Sequence, residues 1–404
     1  MRNRRTIVSL IFVTVFVALG ICQSLLERQA AAQTANKVQA PRFEVDPLWP
    51  KPLPNHWVLG QTVGVWVDDQ DHVWIVHAGN NDLDPNERGL ELKTHECCQA
   101  APNVLEFDQA GNLLRHWGGP AEGYEWPQGN HGIFIDHLGN VWIGGNGADD
   151  SHIVKFTKDG KFLMQIGKMG ARRGPNDAKG QPTFIGGSND PENFGRVAEI
   201  FVDPKVNEAF VADGYFNKRV AVLDPVTGKM KRYWGAYGNK PDDTPLPAYD
   251  PAAPPSQQFR NPVHCAETST DGFLYVCDRQ HNRIQVFTLD GKFVKEAFYA
   301  KPTLGAGSAW DVAFSKDPQQ RYMYLADGSN EKVRIILRET LQELATFGDG
   351  GRQPGQFFGV HSIATDSKGN IYTTETWEGK RVQRFVLKGI GPVASINQGA
   401  PWPR

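Results

Sequence analysis

A chain of 404 residues with 43 Lys and Arg against 45 Asp and Glu carries a formal net charge of −2. It has no long basic run, which excludes nucleic acid as a principal partner, because phosphate binding needs clustered positive charge. The 42 Gly and 27 Pro, with 22 Phe and 11 Trp against 5 Met, favour many short strands joined by tight turns over helices.

The first residues read as an export signal. Met1-Arg2-Asn3-Arg4-Arg5 is a positive n-region, Ile7 to Cys22 is almost purely apolar, and Ala30-Ala31-Ala32 offers small residues for cleavage before Gln33. An uncleaved anchor is the alternative, but the apolar run is slightly short for a membrane span. Residues 1–32 are therefore expected to be a signal peptide, with a secreted or periplasmic mature chain and no membrane contact beyond the signal. Residues 33–58 are polar and Pro-rich, with one strand-like piece, Arg42 to Val45, a candidate to close a ring by completing the last repeat.

From 59 to 390 one pattern recurs, before a C-terminal tail over 391–404. Its copies open at Val63, His131, about Val197, His264, Trp310 and His361. Each offers four short alternating or apolar runs separated by Asp-Gly, Gly-Asn or Thr-Gly turns, which supply the positive φ that hairpins require. A four-stranded sheet cannot bury its own faces, whereas a ring of such sheets buries them against neighbours. The chain is thus predicted to be all-β, a six-bladed β-propeller in one domain. Inserts at 79–102, 168–196 and 236–260 are too polar and too rich in Gly and Pro for core and read as surface loops.

Aligned on the first turn of each repeat, the slot five residues before it holds Val63, His131, Ala198, His264, Trp310 and His361. Histidine in every second repeat predicts three imidazoles converging on the channel axis. That donor set suits a zinc ion with one position left open for water or substrate. A single such histidine would more readily be a hydrogen-bonded residue in a wet channel; three in one slot favour a metal. Tyr215 and Arg279 each follow a second strand and should crowd the same face, as should the insert carrying His95, Cys97 and Cys98. His56 and His77 are also near that face, while His72, His116, His137, His152 and His281 fall at turns or ordinary strand positions. Arg172-Arg173 lies in an insert on the site face, either as a solvated pair or as a carboxylate binder. Counting back from the Asp271-Gly272 turn pairs Cys265 with Val276, so no Cys265–Cys277 bridge is expected. Cys97 and Cys98 are left open among pairing, metal binding and free thiols.

The runs Arg283-Ile284-Gln285-Val286-Phe287 and Leu289-Asp290-Gly291-Lys292-Phe293 resemble NHL repeats. Over about residues 60–389 the chain resembles the peptidyl-α-hydroxyglycine α-amidating lyases, in Asn130-His131-Gly132, Pro262-Val263-His264, Gly359-Val360-His361-Ser362, Ala212-Asp213-Gly214-Tyr215 and Cys277-Asp278-Arg279. The resemblance implies zinc on His131, His264 and His361, Tyr215 as the acid/base group and Arg279 holding substrate. It implies a small-molecule or peptide-derived substrate, a carbinolamide or related hydroxy compound. Three departures stand against it. Ala78 replaces an active-site arginine, Phe216 replaces a cysteine, and Ser362 replaces an aspartate that binds structural calcium, which argues against calcium here. The alternative is a non-catalytic propeller that binds a ligand or a protein partner on the same face.

Overall fold

The computed structural model describes residues 38–393 and 395–403, together with Gln23. The predicted signal peptide lies outside the described residues but for Gln23. Among the described residues no helix is long and apolar enough to cross a membrane.

Among the described residues, and beside two small two-stranded sheets, six four-stranded antiparallel sheets form the ring. Their first strands are Thr62–Val67, Asn130–Ile135, Val197–Asp203, Val263–Thr268, Asp311–Phe314 and Val360–Thr365. Each of these packs against the first strand of the next sheet, and the sixth packs against the first, so the ring closes around a channel. Strand Gln39–Asp46 pairs with Val382–Pro392 as the outermost strand of the sixth blade, with Val45 opposite Phe385. An early strand and a late strand of the described residues are thereby knitted into one sheet.

Burial follows position in the blade. Second strands such as Val73–His77 are buried along their whole length, whereas the outermost strand Leu113–Trp117 alternates half-buried and exposed residues. A sheet covered on both faces needs apolar side chains on both; an edge strand needs only one apolar row. Between the first two blades, Trp74, Val76 and Val104 pack against Ile133, Ile143 and Phe156.

Two polar devices recur at opposite ends of the blades. At the turn after the first strand, the Oδ1 of Asp136 accepts from Leu138 N at 3.0 Å and Asn140 N at 2.8 Å, and its Oδ2 accepts from Trp142 Nε1 at 2.9 Å. Asp68 holds Trp74 in the same way, and Asp366 holds the Tyr372 hydroxyl. At the end of the second strand a buried acid pairs with an arginine in the first residues of the third: Asp213 with Arg219 at 2.7 Å, Asp278 with Arg283 at 2.8 Å, Asp327 with Arg334 at 2.6 Å.

The expectation for Cys265 and Cys277 is corrected: the two are joined in a disulfide. The turn from Ser269 to Gly272 closes with Ser269 N on Phe273 O and Gly272 N on Ser269 O, and Gly272 takes a φ of +84°. That left-handed residue is one more than a two-residue turn would use, so the register slips by one. Cys265 then lies opposite Cys277 and both sulfurs share a face. Cys97 and Cys98 are bonded to each other.

Candidate metal centre

The register of every first strand but that of the fifth blade shifts at the histidine slot: between Thr62 and Gly64, His131 and Ile133, Val197 and Glu199, Val263 and Cys265, and Val360 and Ile363. A bulge at the start of a strand re-aims the side chain it carries. Here it turns the slot residues toward the axis. The ligand-capable nitrogens of His131, His264 and His361 lie within 4.8 Å of one another, and all three residues are buried. His131 Nε2 is 3.1 Å from His361 Nε2.

The other three slots do more than alternate with the histidines. His131 donates through Nδ1 to the carbonyl of Ala198 at 2.7 Å, and His264 through Nδ1 to that of Trp310 at 2.6 Å. His361 Nδ1 meets Ser362 Oγ at 3.1 Å, whose hydroxyl donates to Val63 O at 3.0 Å. Each histidine thus leans on the slot residue of the following blade, directly or through one hydroxyl. With Nδ1–H committed in this way, the Nε2 lone pair of each ring is left to face the axis. Gly132 makes the first of these approaches sterically feasible: its φ is +69°, and a Cβ there would lie 2.6 Å from Ala198 O.

Burial keeps the rings neutral. It pushes His131 down to about 4, while His264 and His361 are held well below the usual imidazole range by burial, by the Arg279 charge and by one another. Neutral imidazoles are the form that binds a metal. Three such nitrogens, each with its far nitrogen hydrogen-bonded, fit a zinc-type ion with a further position open.

Tyr215 and Arg279 join this centre. The Tyr215 hydroxyl lies 2.9 Å from His131 Nε2 and 3.2 Å from His264 Nε2, and Arg279 Nη1 donates to it at 3.3 Å. Gly214 brings Tyr215 in, since a Cβ at 214 would meet the Val263 backbone oxygen at 2.0 Å. Arg279 is fixed by Nε on Ala306 O at 3.0 Å and stacks 4.4 Å above the Trp310 ring.

The remaining candidates are placed elsewhere. His77 is buried and pushed down to about 4 by desolvation; its Nε2 meets Pro102 O at 2.9 Å while Nδ1 accepts from Gly60 N and Gly79 N, both at 3.1 Å. It fixes the loop that carries Ala78. His95 caps its own insert through Asn86 O at 2.9 Å, and His56 is exposed. Arg172 and Arg173 are not a solvated pair: Arg172 is buried, whereas Arg173 is exposed and bonds Asp149.

Three channel carboxylates escaped the sequence reading: Glu199, Glu267 and Asp311. Burial raises Glu199 and Glu267 well above the usual carboxylate range, and it pushes Asp311 up to about 7. Glu199 and Asp311 each directly follow a slot residue, as Ser362 does, so the same alignment contained the signal. The carboxylate missing at Ser362 is matched by two others one row below the histidines, in the third and fifth blades. The third potential ligand of that group, Cys265, is committed to its disulfide.

No protein-family model matches the chain. Peptidyl-glycine alpha-amidating monooxygenase B of Xenopus laevis is 27% identical over 255 residues, covering 59% of this chain and 24% of the relative. Peptidylglycine alpha-amidating monooxygenase of Rattus norvegicus is 28% identical over 257 residues, covering 60% of this chain and 22% of the relative. The match therefore spans less than a quarter of the length of either protein. NHL repeat-containing protein 3 of Mus musculus is 23% identical over 335 residues, 80% of this chain and 75% of that protein. Among solved structures, a streptogramin B lyase superposes with a TM-score of 0.51 at 15% identity, covering 86% of this chain and 98% of its own, which speaks to the fold alone. With its six blades and its alignable repeats, the chain is an NHL-type β-propeller similar to the peptidylglycine alpha-amidating monooxygenases.

Proposed function

We propose that this propeller is an exported, zinc-dependent lyase-like enzyme that cleaves a carbinolamide or a related small hydroxy compound at the three-histidine centre. The observation that carries the reading is the convergence of His131, His264 and His361 with every Nδ1 committed to a hydrogen bond. Similarity to the amidating monooxygenases supports the lyase class. Export is supported by the N-terminal sequence and by the Cys265–Cys277 disulfide, since oxidising compartments permit such bridges.

A zinc-type ion on the three Nε2 atoms would polarise a substrate hydroxyl and make it more acidic. Tyr215 Oη then serves as the base that takes the hydroxyl proton, and Arg279 Nη1, which donates to it at 3.3 Å, orients a neighbouring carboxylate of the substrate. As the carbonyl forms, the C–N bond breaks, and the proton on Tyr215 Oη passes to the departing amide nitrogen. The products are an amide and an aldehyde acid, and no external redox partner is needed. Ala78 adds no second cation, so Arg279 carries the substrate charge at this centre alone.

The test begins with metal content by mass spectrometry of the purified mature protein beside His264→Ala. About one zinc per chain, lost in the variant, is expected, followed by glyoxylate release from N-acyl-α-hydroxyglycines. Absence of metal after zinc reconstitution would leave a ligand-binding propeller as the better account.

A further inference from the structure

A second polar cavity opens on the same face, outside the histidine centre. Its volume is about 450 Å³, and Arg172, Phe216, Lys218, Asp243, Leu246 and Arg260 form much of its wall. It adjoins the centre through the chain: Phe216 follows Tyr215, and Gln280, also on the wall, follows Arg279.

Arg172 is the key to it. The residue is 3% exposed, with Nε donating to Ile185 O at 2.6 Å and Nη2 to Asn217 Oδ1 at 3.0 Å. Its Nη1 is buried and makes no hydrogen bond, with Asp190 Oδ2 at 4.0 Å. A guanidinium has five N–H donors and loses heavily when one is removed from water without an acceptor. Lys218 is 6% exposed, and its Nζ donates to neutral acceptors, Thr244 O at 2.8 Å and Gln258 Oε1 at 3.1 Å. Arg260 Nη2 donates to Pro247 O, and its Nε has no partner. The one carboxylate on the wall, Asp243, is occupied by Ser188, whose backbone N donates to Oδ2 at 2.7 Å and whose Oγ donates to Oδ1. On the wall three cations thus meet one carboxylate, already engaged, with Asp190 4.0 Å from Arg172 Nη1 as a further acid beside them. Beside them Phe216 stacks on Phe184, ring centroids 3.7 Å apart, and gives the cavity an apolar flank.

We infer that this cavity is a subsite for a carboxylate carried on an apolar or aromatic group. The carboxylate seats on Arg172 and Lys218 with Arg260 at the rim, and the apolar body lies along Phe216 and Leu246. That the same molecule also reaches the histidines rests on the lyase reading; the anion site does not. The site selects an acidic distal arm on the substrate, at a distance from the reacting carbon.

The test is calorimetric titration of phenylacetate into the purified full chain, with and without zinc, beside 2-phenylethylamine as a probe of equal body and opposite charge. Saturable binding of phenylacetate in both metal states and none of the amine is expected. Arg172→Gln and the rim variant Arg260→Gln should each weaken it at least tenfold, and because Arg260 is half-buried its replacement does not depend on core folding. No phenylacetate binding by the wild type, equal binding of acid and amine, or unchanged affinity in both variants overturns the subsite. Arginine-dependent binding in a protein that takes up no zinc leaves the subsite standing while the lyase reading falls.

Discussion

Nδ1 of His264 lies 2.6 Å from the carbonyl oxygen of Trp310, and the ring of that same Trp310 lies 4.4 Å beneath the guanidinium of Arg279. One slot residue of the fifth blade thereby orients a candidate ligand with its backbone and a candidate substrate-binding cation with its side chain. Both sets of blades therefore contribute to the candidate centre.

The hydroxyl of Ser362 is predicted to matter for metal affinity although it ligates nothing. It is the partner of His361 Nδ1 and passes the bond on to Val63 O. Ser362→Ala should lower zinc affinity by about tenfold, the low end of what loss of such a support costs, and Ser362→Thr should keep most of it. Competition against a chromogenic chelator measures both.

Tyr215→Phe removes the proton-carrying oxygen and leaves the three histidines in place. Turnover should drop by about 10²–10⁴-fold with zinc content unchanged. Arg279→Gln should raise KM for a carboxylate-bearing substrate as well as lower kcat, because Arg279 is assigned to substrate and to Tyr215 together. Steady-state kinetics on metal-quantified protein separate the two.

In metal-free protein the buried groups make stability depend on pH in opposite directions. His131 is pushed down to about 4 by burial, so the unfolded chain binds the extra proton between about pH 6.5 and 4 and stability is lost as pH falls through that window. Glu199 is raised by burial and by the nearby Asp311 and Glu267, so the native state holds the extra proton and stability is lost as pH rises. His131→Gln should therefore gain on the wild type by about 3 kcal/mol as pH falls from about 7 to 4, because each tenfold difference in proton affinity between the folded and unfolded chain is worth about 1.4 kcal/mol. Glu199→Gln should gain on it as pH rises from about 5 to 8. Urea unfolding across that range reads both slopes.

Arg219 is fully buried, with Nε on Asp213 at 2.7 Å and Nη1 on Ser188 O at 2.8 Å. Arg219→Met should destabilise the protein by about 3–5 kcal/mol, because it leaves the Asp213 charge buried without its partner. Denaturant melts of the variant measure this, and a cost below about 1 kcal/mol would show that the pair is not what holds the second and third strands of that blade together at this end.

The alternation of short apolar runs with turn dipeptides determined the blade number, and the fixed spacing from slot to turn aligned His131, His264 and His361, because both are local periodicities that a strand and its hairpin impose on sequence. The same spacing carried Asp68 to Trp74 and Asp136 to Trp142, an anchor visible once the repeats are stacked. Only the tertiary structure decided what depends on two segments meeting. A single left-handed residue at Gly272 moved Cys265 opposite Cys277, against the counted register. Arg172 could be read as solvated until the fold put Asn217 and the Ile185 carbonyl around it. Glu199 and Asp311 came into one channel from blades 112 residues apart, a proximity that strand periodicity cannot encode because it is created by closing the ring.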